Sequence, residues 1–427
     1  MEFKPGIDFS RSLDAADGLA ALGAEFHRPP APDGSAAIYL AGNSLGLQPK
    51  RAAQFVREEL EDWQRFGVLG HHDARRPWIG YHEYLTGALA GLVGAQPQEV
   101  VQMNSTTSNL HLMMVSFYRP TPARHRIIIE RGAFPSDHYA IASQLRFHGY
   151  DPQHALIEVG PRPGEDTIRP GDILATIERE GSSVALVLFS GVHYATGQAF
   201  DLPAIAQAAR RQNCAVGFDL AHAVGNLELR LHDWAPDFAV WCSYKYLNGG
   251  PGAVAGCFVH ERHARRPELP RFAGWWGQNK DTRFLMGPDF DPIPGAEGWQ
   301  LSNPPVLGLA PLLASYELFA AASMARLRAK SVLLTDYLDY LLRDRVADAV
   351  QIVTPPTAGD RGCQLSLRLR AGRERGRAIF GELQRRGVIS DWREPDIIRV
   401  APVPLYNSFR EVHDFVESLR AITRMHQ

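Results

Sequence analysis

The chain has 427 residues, of which 45% are hydrophobic and 22% charged, a composition typical of a folded globular protein and not of a disordered one. Its 45 lysines and arginines nearly balance 47 aspartates and glutamates, so no overall positive charge draws it to nucleic acid or to an anionic membrane. A chain of this length is expected to fold into two lobes.

Cysteine usage and hydropathy predict a reduced, cytoplasmic protein. The four cysteines are scattered and form no CxxC pair, so we expect neither a metal site nor a redox centre. The first ten residues lack the apolar segment of a signal peptide. The longest apolar stretch, residues 306–325, contains Pro311 and Glu317, which favours a long helix buried between the lobes over a membrane span.

The first two thirds of the chain predict an α/β domain. Residues 49–67 have the pattern of a helix, with a proline near the start and a glycine past the end. From about 95 to 260, apolar runs alternate with amphipathic segments such as 135–149 and 201–213. The predicted strands are 126–130, 155–159, 184–190, 214–219, 238–243 and 253–259. Runs that are apolar throughout suit strands covered on both faces, which indicates a mostly parallel sheet between two helix layers.

The C-terminal part predicts a smaller α+β lobe, reached through the long segment 306–342. Residues 363–370 alternate like a half-exposed strand, and 397–403 form another strand. Helices are expected at 376–387 and 408–425. We therefore divide the chain into an N-terminal arm packed on the small domain, a large domain and the small domain, with the bounds 1–60, 61–310 and 311–427.

Two residues at predicted strand ends suggest the chemistry. Asp219 ends one apolar strand, and Lys245 follows the next and leads into a glycine-rich turn. Ligands of open α/β sheets bind at the carboxyl ends of the strands. A pyridoxal phosphate enzyme needs a lysine amine to form a Schiff base and a carboxylate to keep the pyridinium nitrogen protonated. On these two residues alone, a buried or surface Lys–Asp ion pair, or two unrelated polar strand ends, is the larger possibility.

A hydroxyl-rich segment adds a second indication. Residues 103–117 read as a strand end, a run of small hydroxyl residues and an apolar helix. Thr106 and Thr107 at the helix start, with the free N–H groups of the first turn, would make a phosphate cradle. The alternative is an ordinary Ser/Thr helix cap. The order of the segment before Asp219 and Lys245 favours a cofactor phosphate.

Seven ordered segments carry a specific resemblance. They are GAFPSDHYAI (132–141), LFSGVHYATGQ (188–198), GFDLAHAVGN (217–226), WCSYKYLNGG (241–250), GWWGQ (274–278), SNPP (302–305) and IRVAPVPLYNSF (398–409). Together they resemble kynureninase, a family of pyridoxal phosphate enzymes with the aspartate aminotransferase-type fold, fold type I. The similarity runs from about AGNSLGLQPK (41–50) to the last helix, nearly the whole chain.

The resemblance implies a role for each matching residue around pyridoxal 5'-phosphate. Lys245 would form the Schiff base, Asp219 would pair with the pyridinium nitrogen, and Phe134 would stack on the ring. The remaining residues implied in cofactor binding are Thr106, Thr107 and Tyr244 at the phosphate, Pro135, Ser136 and Asp137 beside Phe134, and Ser190 and His222 lining the pocket.

Further residues are implied for the subunit interface and the substrate. The family builds its sites across a homodimer interface, so Trp275 and Asn303 would come from the neighbouring subunit. Arg399 would clamp the substrate α-carboxylate. His71, with Ser302 and Asn303, would form a polar wall against the substrate's aromatic ring, which resembles members that favour the 3-hydroxy substrate.

The implied activity is hydrolysis of the Cβ–Cγ bond of L-kynurenine, and of its 3-hydroxy form, to anthranilate or 3-hydroxyanthranilate and L-alanine. Such a hydrolase cleaves carbon–carbon bonds in tryptophan and kynurenine degradation, or in the biosynthesis of NAD. Lys245 would take the α-proton, and Tyr244 would relay protons while water adds to the γ-carbonyl. We expect a small amino-acid substrate, no nucleic-acid partner and no membrane.

Several alternatives stay open from the sequence. A cysteine desulfurase or a class V aminotransferase has the same fold, although these relatives typically carry a His where Tyr244 stands. A cofactor-free scaffold dimer is a second rival. Single residues also have structural explanations: Phe134 as core, His222 as a satisfied histidine, and Arg399 in a surface ion pair. The pair Trp275 and Trp276 would equally suit a core-packing turn.

Overall fold

The computed structural model describes residues 2–425, which form fourteen helices and thirteen strands. The helices are α1 Ile7–Ala15, α2 Ala52–Phe66, α3 Gly70–Asp73, α4 Glu83–Val93, α5 Thr106–Phe117, α6 Pro135–Phe147, α7 Pro152–Ala155, α8 Pro170–Glu180, α9 Leu202–Arg211, α10 Leu231–Trp234, α11 Val306–Ala322, α12 Met324–Arg345, α13 Gly372–Arg385 and α14 Phe409–Met425. The strands are β1 Ile38–Tyr39, β2 Val100–Gln102, β3 Arg126–Glu130, β4 Leu156–Val159, β5 Val184–Ser190, β6 Ala215–Asp219, β7 Phe238–Trp241, β8 Gly256–Val259, β9 Val350–Ile352, β10 Leu365–Leu369, β11 Val388–Ile389, β12 Asp391–Arg393 and β13 Ile397–Val400.

A seven-stranded sheet organises the first two thirds of the chain. Its order is β2-β8-β7-β6-β5-β3-β4, and only β8 runs antiparallel to its neighbours. Side chains of β3 alternate between two apolar cores, with Ile128 in one and Ile127 and Ile129 in the other. Burial on both faces explains why these strands are apolar throughout, and the predicted mostly parallel sheet is confirmed.

The register of this sheet places polar groups side by side. Ser190, the last residue of β5, pairs with Asp219, the last residue of β6. Glu130 ends β3 on the other side of β5. Three neighbouring parallel strands therefore deliver a hydroxyl and two carboxyl groups to one edge, where ligands of such sheets bind.

A four-stranded antiparallel sheet, in the order β12-β13-β10-β9, forms the smaller domain. It shares a third apolar core with α12 and α14. The N-terminal segment contacts this part of the chain, because α1 packs on α14 and β1 pairs in parallel with β11. The boundaries proposed from the sequence stay a prediction.

Two expectations for the C-terminal part were wrong. The strand at 363–370 is not half-exposed: β10 lies between β13 and β9, and only Arg368 on it is partly exposed. The apolar stretch 306–325 is not one helix, since α11 ends at Ala322 and Ser323 adopts a φ of 61°. Within residues 2–425 no single helix is long and apolar enough to cross a membrane; α11 and α12 would suffice together, but the chain bends by 81° between them.

Candidate active site

One pocket collects most of the residues predicted from the sequence. It opens at the carboxyl ends of β5 and β6 and is lined by Thr106, Thr107, Phe134, Ser136, Asp137, Ser190, Val192, Tyr194, Asp219, Ala221, His222, Cys242, Tyr244 and Lys245. These residues come from five separate segments of the chain, so only the fold brings them together. Their individual roles stay predictions.

Lys245 follows β7 in a turn held by backbone contacts from the N-terminal segment. The Gly46 N–H donates to the Tyr244 carbonyl at 2.8 Å, and a Cβ at Gly46 would collide with the Lys245 carbonyl. The Lys245 ammonium nitrogen is buried, 3.0 Å from Nε2 of His222. In the part of the chain that the structure describes, it forms no salt bridge, so the simple Lys–Asp ion pair is wrong.

His222 is a neutral ring with a free donor. Burial, and then the positive charge of Lys245, hold the pKa of His222 well below its usual range. Since Nε2 accepts from Lys245, the ring carries its proton on Nδ1, which is buried without a partner within residues 2–425. His222 is therefore not a satisfied core histidine, and its N–H is available to a ligand.

Asp219 lies at the bottom of the pocket beside a second carboxyl group. Its Oδ1 accepts the Ala221 N–H at 2.7 Å. Burial raises the pKa of Asp219, while Lys245 and a hydrogen bond from Asp137 favour its charged form. Burial raises the pKa of Asp137 further, with the charge of Asp219 adding to the effect. Asp137 therefore holds a proton, and a cationic N–H donor over Asp219 would stabilise its charge.

Two helices point their N-termini into the pocket. Neither α5, which begins at Thr106, nor α6, which begins at Pro135, has a side chain capping its first turn. The hydroxyls of Thr107 and Ser136 lie 2.7 Å apart and connect the two helix starts. Free N–H groups and two positive dipole ends suit a doubly charged phosphate.

The residues present fit pyridoxal phosphate. The buried Ser190 Oγ and His222 Nδ1 lack partners within the described chain and face the pocket. The Phe134 ring is 45% exposed and its centroid lies 5.8 Å from the Lys245 nitrogen, so it is a pocket wall and not core. An amine, a carboxylate, an aromatic face and an anion cradle match the four chemical parts of this cofactor.

Arg399 closes the pocket from the smaller sheet. It is only 1% exposed, so the surface ion pair is wrong. It donates from Nη1 to the Tyr194 carbonyl at 2.8 Å and from Nη2 to Asp391 at 2.5 Å. Its Nε is buried without a partner in residues 2–425. The Tyr194 ring stands edge-on to Phe134, with centroids 5.3 Å apart, and so links Arg399 to the pocket wall.

Four predicted residues lie away from this pocket within one chain. Trp275 is 44% exposed, Asn303 is exposed, and Pro135 is an exposed first residue of α6. His71 stands edge-on to Trp78 with ring centroids 5.6 Å apart. Of the tryptophan pair, only Trp276 packs as core, at 1% exposure.

Sequence reasoning assigned no role to Val192, Tyr194, Ala221 and Cys242, which also line the pocket. All four lie in segments that carried the resemblance: Ala221 in GFDLAHAVGN, Cys242 in WCSYKYLNGG, and Val192 and Tyr194 in LFSGVHYATGQ. Tyr194 also contacts Arg399. Its main contribution is a backbone carbonyl, and such an acceptor is independent of residue type.

One His/Glu cluster elsewhere has the proximity of metal ligands. Glu99, His232 and His260 place ligand atoms within 4.8 Å of one another. The Glu99 carboxylate accepts the N–H groups of Gln96 and Glu261, each at 2.8 Å, and contacts His232 at 3.1 Å. These bonds give the cluster a structural explanation.

Comparisons with protein families match both parts of the chain. The family model for class V aminotransferases matches residues 38–358, and the model for the kynureninase C-terminal domain matches residues 327–419. The kynureninase of Myxococcus xanthus (strain DK1622) is 60% identical over 99% of this chain and 98% of its own length. That of Koribacter versatilis (strain Ellin345) is 57% identical over 96% of each chain.

Solved structures show the same fold at low identity. The apo cysteine desulfurase from Thermococcus onnurineus NA1 superposes with a TM-score of 0.72 at 16% identity, over 91% of this chain and 95% of its own. The cystine C-S lyase C-DES, in complex with cysteine persulfide, gives 0.74 at 18% identity, over 90% and 97%. At such identities the likeness establishes the fold, fold type I of the pyridoxal phosphate enzymes, and leaves the reaction to the site.

Proposed function

The chain belongs to the kynureninase family, with pyridoxal phosphate as cofactor, and we propose that it hydrolyses the Cβ–Cγ bond of L-kynurenine to anthranilate and L-alanine. The observation that carries this proposal is a single pocket holding Lys245, Asp219, Tyr244 and the two helix N-termini, in a chain 56–60% identical to curated kynureninases.

The cofactor supplies an electron sink: covalently bound to the substrate amine, it makes the α-proton acidic and stabilises the carbanion released at Cβ. Lys245 is the base that takes the α-proton. Its nitrogen lies 3.0 Å from His222, whose neutral ring accepts a hydrogen bond from it and holds it in place. The Asp219 carboxylate, with Asp137 as its donor, would supply the negative charge that keeps the ring nitrogen of the cofactor protonated.

Tyr244 supports the hydrolytic half of the reaction. Burial raises the pKa of Tyr244, so the phenol keeps its proton at neutral pH. The neutral O–H of Tyr244, whose ring lies beside Lys245, would donate a hydrogen bond to the γ-carbonyl oxygen as water adds, and would pass a proton to Cβ when the Cβ–Cγ bond breaks. Arg399 orients the substrate through its α-carboxylate, using the free Nε and one Nη after the bond to Asp391 yields.

A cysteine desulfurase on the same fold is the weaker alternative. That reaction needs a reactive thiolate, and all four cysteines here are buried. Burial also raises the pKa of each thiol. Four buried, unpaired cysteines also support a reducing compartment such as the cytoplasm.

The deciding experiment incubates the purified protein, loaded with pyridoxal phosphate, with L-kynurenine and follows anthranilate by its fluorescence. We expect stoichiometric anthranilate and L-alanine, and none from Lys245→Ala. Sulfide from cysteine, or a keto acid without anthranilate, would reassign the reaction. Lys330→Ala is unsuitable as a control because it breaks a buried ion pair with Asp17, so Lys4→Ala is used, since Lys4 is exposed and forms no salt bridge within residues 2–425.

We also propose that the chain works as a homodimer whose partner completes the site. The loop bearing Trp275 exposes several large apolar side chains to solvent, namely Phe272, Trp275, Phe284, Leu285, Met286 and Phe290. Asn303 is exposed nearby in sequence. Burial of such a patch against a second copy would remove apolar area from water. Light scattering should give twice the monomer mass, and mixing Trp275→Ala with Lys245→Ala should restore activity if the site spans two chains.

We finally propose good use of the 3-hydroxy substrate. His71, Ser302 and Asn303 would supply hydrogen-bonding groups for a ring hydroxyl, and a site built around such a bond discriminates against its absence. All three lie outside the pocket of a single chain, so the proposal depends on the dimer. Comparing kcat/KM for kynurenine and 3-hydroxykynurenine tests it, and a strong preference for the unsubstituted form would overturn it.

A further inference from the structure

Glu130 is a buried acid next to the candidate active site with no part in the mechanism above. It ends β3, is 1% exposed, and its two carboxyl oxygens lie 3.2 and 3.3 Å from the Ser190 N–H. Within residues 2–425 no lysine or arginine forms a salt bridge with it. A carboxyl group buried without a cation beside it is unusual and calls for an explanation.

The surroundings of Glu130 hold an excess of acids. Ser190 lies between Glu130 on β3 and Asp219 on β6, and Asp137 stands in the first turn of α6. Within residues 2–425, Lys245 is the cation that acts on both Asp219 and Asp137. Both nearby histidines are neutral at pH 7, since burial lowers the pKa of His193 to about 4 and that of His222 well below its usual range. Three ionised carboxyls would thus face one ammonium group.

Two of the three acids reduce this imbalance, because burial makes them bind a proton more tightly than a free carboxyl group does. Burial raises the pKa of Glu130 to about 7, and the charge of Asp219 acts in the same direction. Asp137 also holds its proton, for the reasons given above. Asp219 differs because the Ala221 N–H, Lys245 and the Asp137 proton all stabilise its charge. Coupled acids of this kind share their protons as a group.

We propose that Glu130 is a positioning residue of the cofactor site: when protonated, its carboxyl group confines the negative charge of the Glu130–Asp137–Asp219 cluster to Asp219, which would pair with the ring nitrogen of the cofactor. The inference rests on the proposed function and deepens it. Glu130 acts through Ser190 and Asp219 and touches neither cofactor nor substrate. A permanently neutral isostere is therefore expected to replace it, whereas a residue without a hydrogen-bonding group is not.

The first test measures melting temperature against pH for the full-length protein stripped of cofactor. The unfolded Glu has a pKa near 4.5 and the folded one near 7, so the native state binds this proton more tightly. Stability from Glu130 is present below pH 4.5 and is lost as pH rises through 7. Glu130→Gln should match wild type at pH 5 and melt roughly 2–4 °C higher at pH 8. Glu374→Gln, at an exposed position in the first turn of α13 and without a salt bridge in residues 2–425, should show no such pH-dependent gap.

The second test measures the dissociation constant and the visible absorbance of pyridoxal phosphate with each variant. Glu130→Gln should bind within about twofold of wild type and keep its spectrum, whereas Glu130→Ala should bind about tenfold more weakly. Equal loss in both variants, or an unchanged melting profile in Glu130→Gln, would overturn the inference. If Glu130→Ala fails to fold, Glu130→Gln decides alone. If the protein forms anthranilate but the Glu130 variants do not differ as expected, only this inference is contradicted. If the variants differ as expected but no anthranilate forms, the proposed function is contradicted.

Discussion

The two sheets supply the candidate site in opposite ways. The seven-stranded sheet presents groups at strand ends and leaves polar atoms without partners, such as Ser190 Oγ and His222 Nδ1. The four-stranded sheet presents Arg399 from within β13, with two of its three nitrogens already bonded to Asp391 and Tyr194. The cofactor half therefore offers several polar atoms without partners, whereas Arg399 in the substrate half has only its Nε unpartnered within residues 2–425.

This difference implies that the cofactor and the substrate gain their binding free energy in different ways. A ligand that meets unpartnered buried groups gains whole hydrogen bonds, because nothing has to be broken first. A substrate carboxylate at Arg399 must replace Asp391, so its net gain is the difference between two charged pairs. We expect the large sheet to control cofactor binding and kcat, and the small sheet to control KM.

The largest effect is expected at Asp219. Asp219→Asn keeps an acceptor for the Ala221 N–H but removes the charge, so the cofactor should still bind while kcat falls on the order of 10³-fold. Steady-state kinetics with kynurenine, alongside a cofactor titration, check both parts. Asp201→Asn is the control, since Asp201 only caps α9. An unchanged kcat would show that charge beneath the cofactor does not drive the reaction.

The next effect is expected at Arg399. Arg399→Lys keeps the charge but loses the planar fork, so KM should rise about 10- to 100-fold with little change in cofactor affinity. Arg393→Lys is a matched control, because Arg393 contacts the same Asp391 at 3.1 Å but is 39% exposed. If both variants behaved alike, Arg399 would serve the fold and not the substrate.

Much of the large sheet could be predicted because a strand buried on both faces appears in the sequence as an uninterrupted apolar run. The run 184–190 is apolar throughout and forms β5 with those bounds, and Asp219 and Lys245 follow such runs. The polar residues of β10 misled the same reasoning. Ser366 is buried and donates to the Ala195 carbonyl at 2.7 Å, while Arg368 pairs with Asp166 at 2.8 Å, so their alternation does not report exposure.

Contacts through the backbone could not be predicted at all. The carbonyls of Tyr194 and Ala195 accept from Arg399 and Ser366 of the small sheet. Any residue type offers a carbonyl, so no sequence pattern marks this connection. Glu130 was missed for a related reason: its neighbours Ser190 and Asp219 are far apart in the chain, and only strand order makes them adjacent.

An intermediate, pH-dependent effect on stability is expected for the loop between β5 and α9, which contacts the small sheet. His193 lies in this loop, and Nδ1 accepts the N–H groups of Ala195 and Thr196 at 3.3 Å each. Its pKa is about 4 when folded, against 6.5 when unfolded. The unfolded chain binds the proton more tightly, so this stability is present above pH 6.5 and is lost as pH falls through 4. It amounts to about 3 kcal/mol.

Chemical denaturation at pH 7 and at pH 4.5 measures this contribution. Wild type should lose more stability between the two values than His193→Gln, whose amide titrates nowhere in this range. His154→Gln is the control, because His154 is 86% exposed. If wild type and His193→Gln lost the same stability between the two pH values, acid would not weaken this loop, whose Tyr194 carbonyl accepts a hydrogen bond from Arg399.

The smallest effect is expected at Ser190. It tests whether the unpartnered polar atoms of the large sheet face the cofactor. The backbone N–H of Ser190 donates to Glu130, and Ser190→Ala leaves that bond in place while removing a buried hydroxyl that has no partner within residues 2–425. Without cofactor the variant should be as stable as wild type or slightly more so, because no existing bond is lost. With cofactor it should bind about 2- to 10-fold more weakly, since the hydroxyl gains its partner only then. If Ser190→Ala and wild type bound the cofactor with equal affinity, this hydroxyl, unlike the His222 N–H, would point away from the ligand. The contrast between the two sheets would then rest on His222 and the helix N-termini alone.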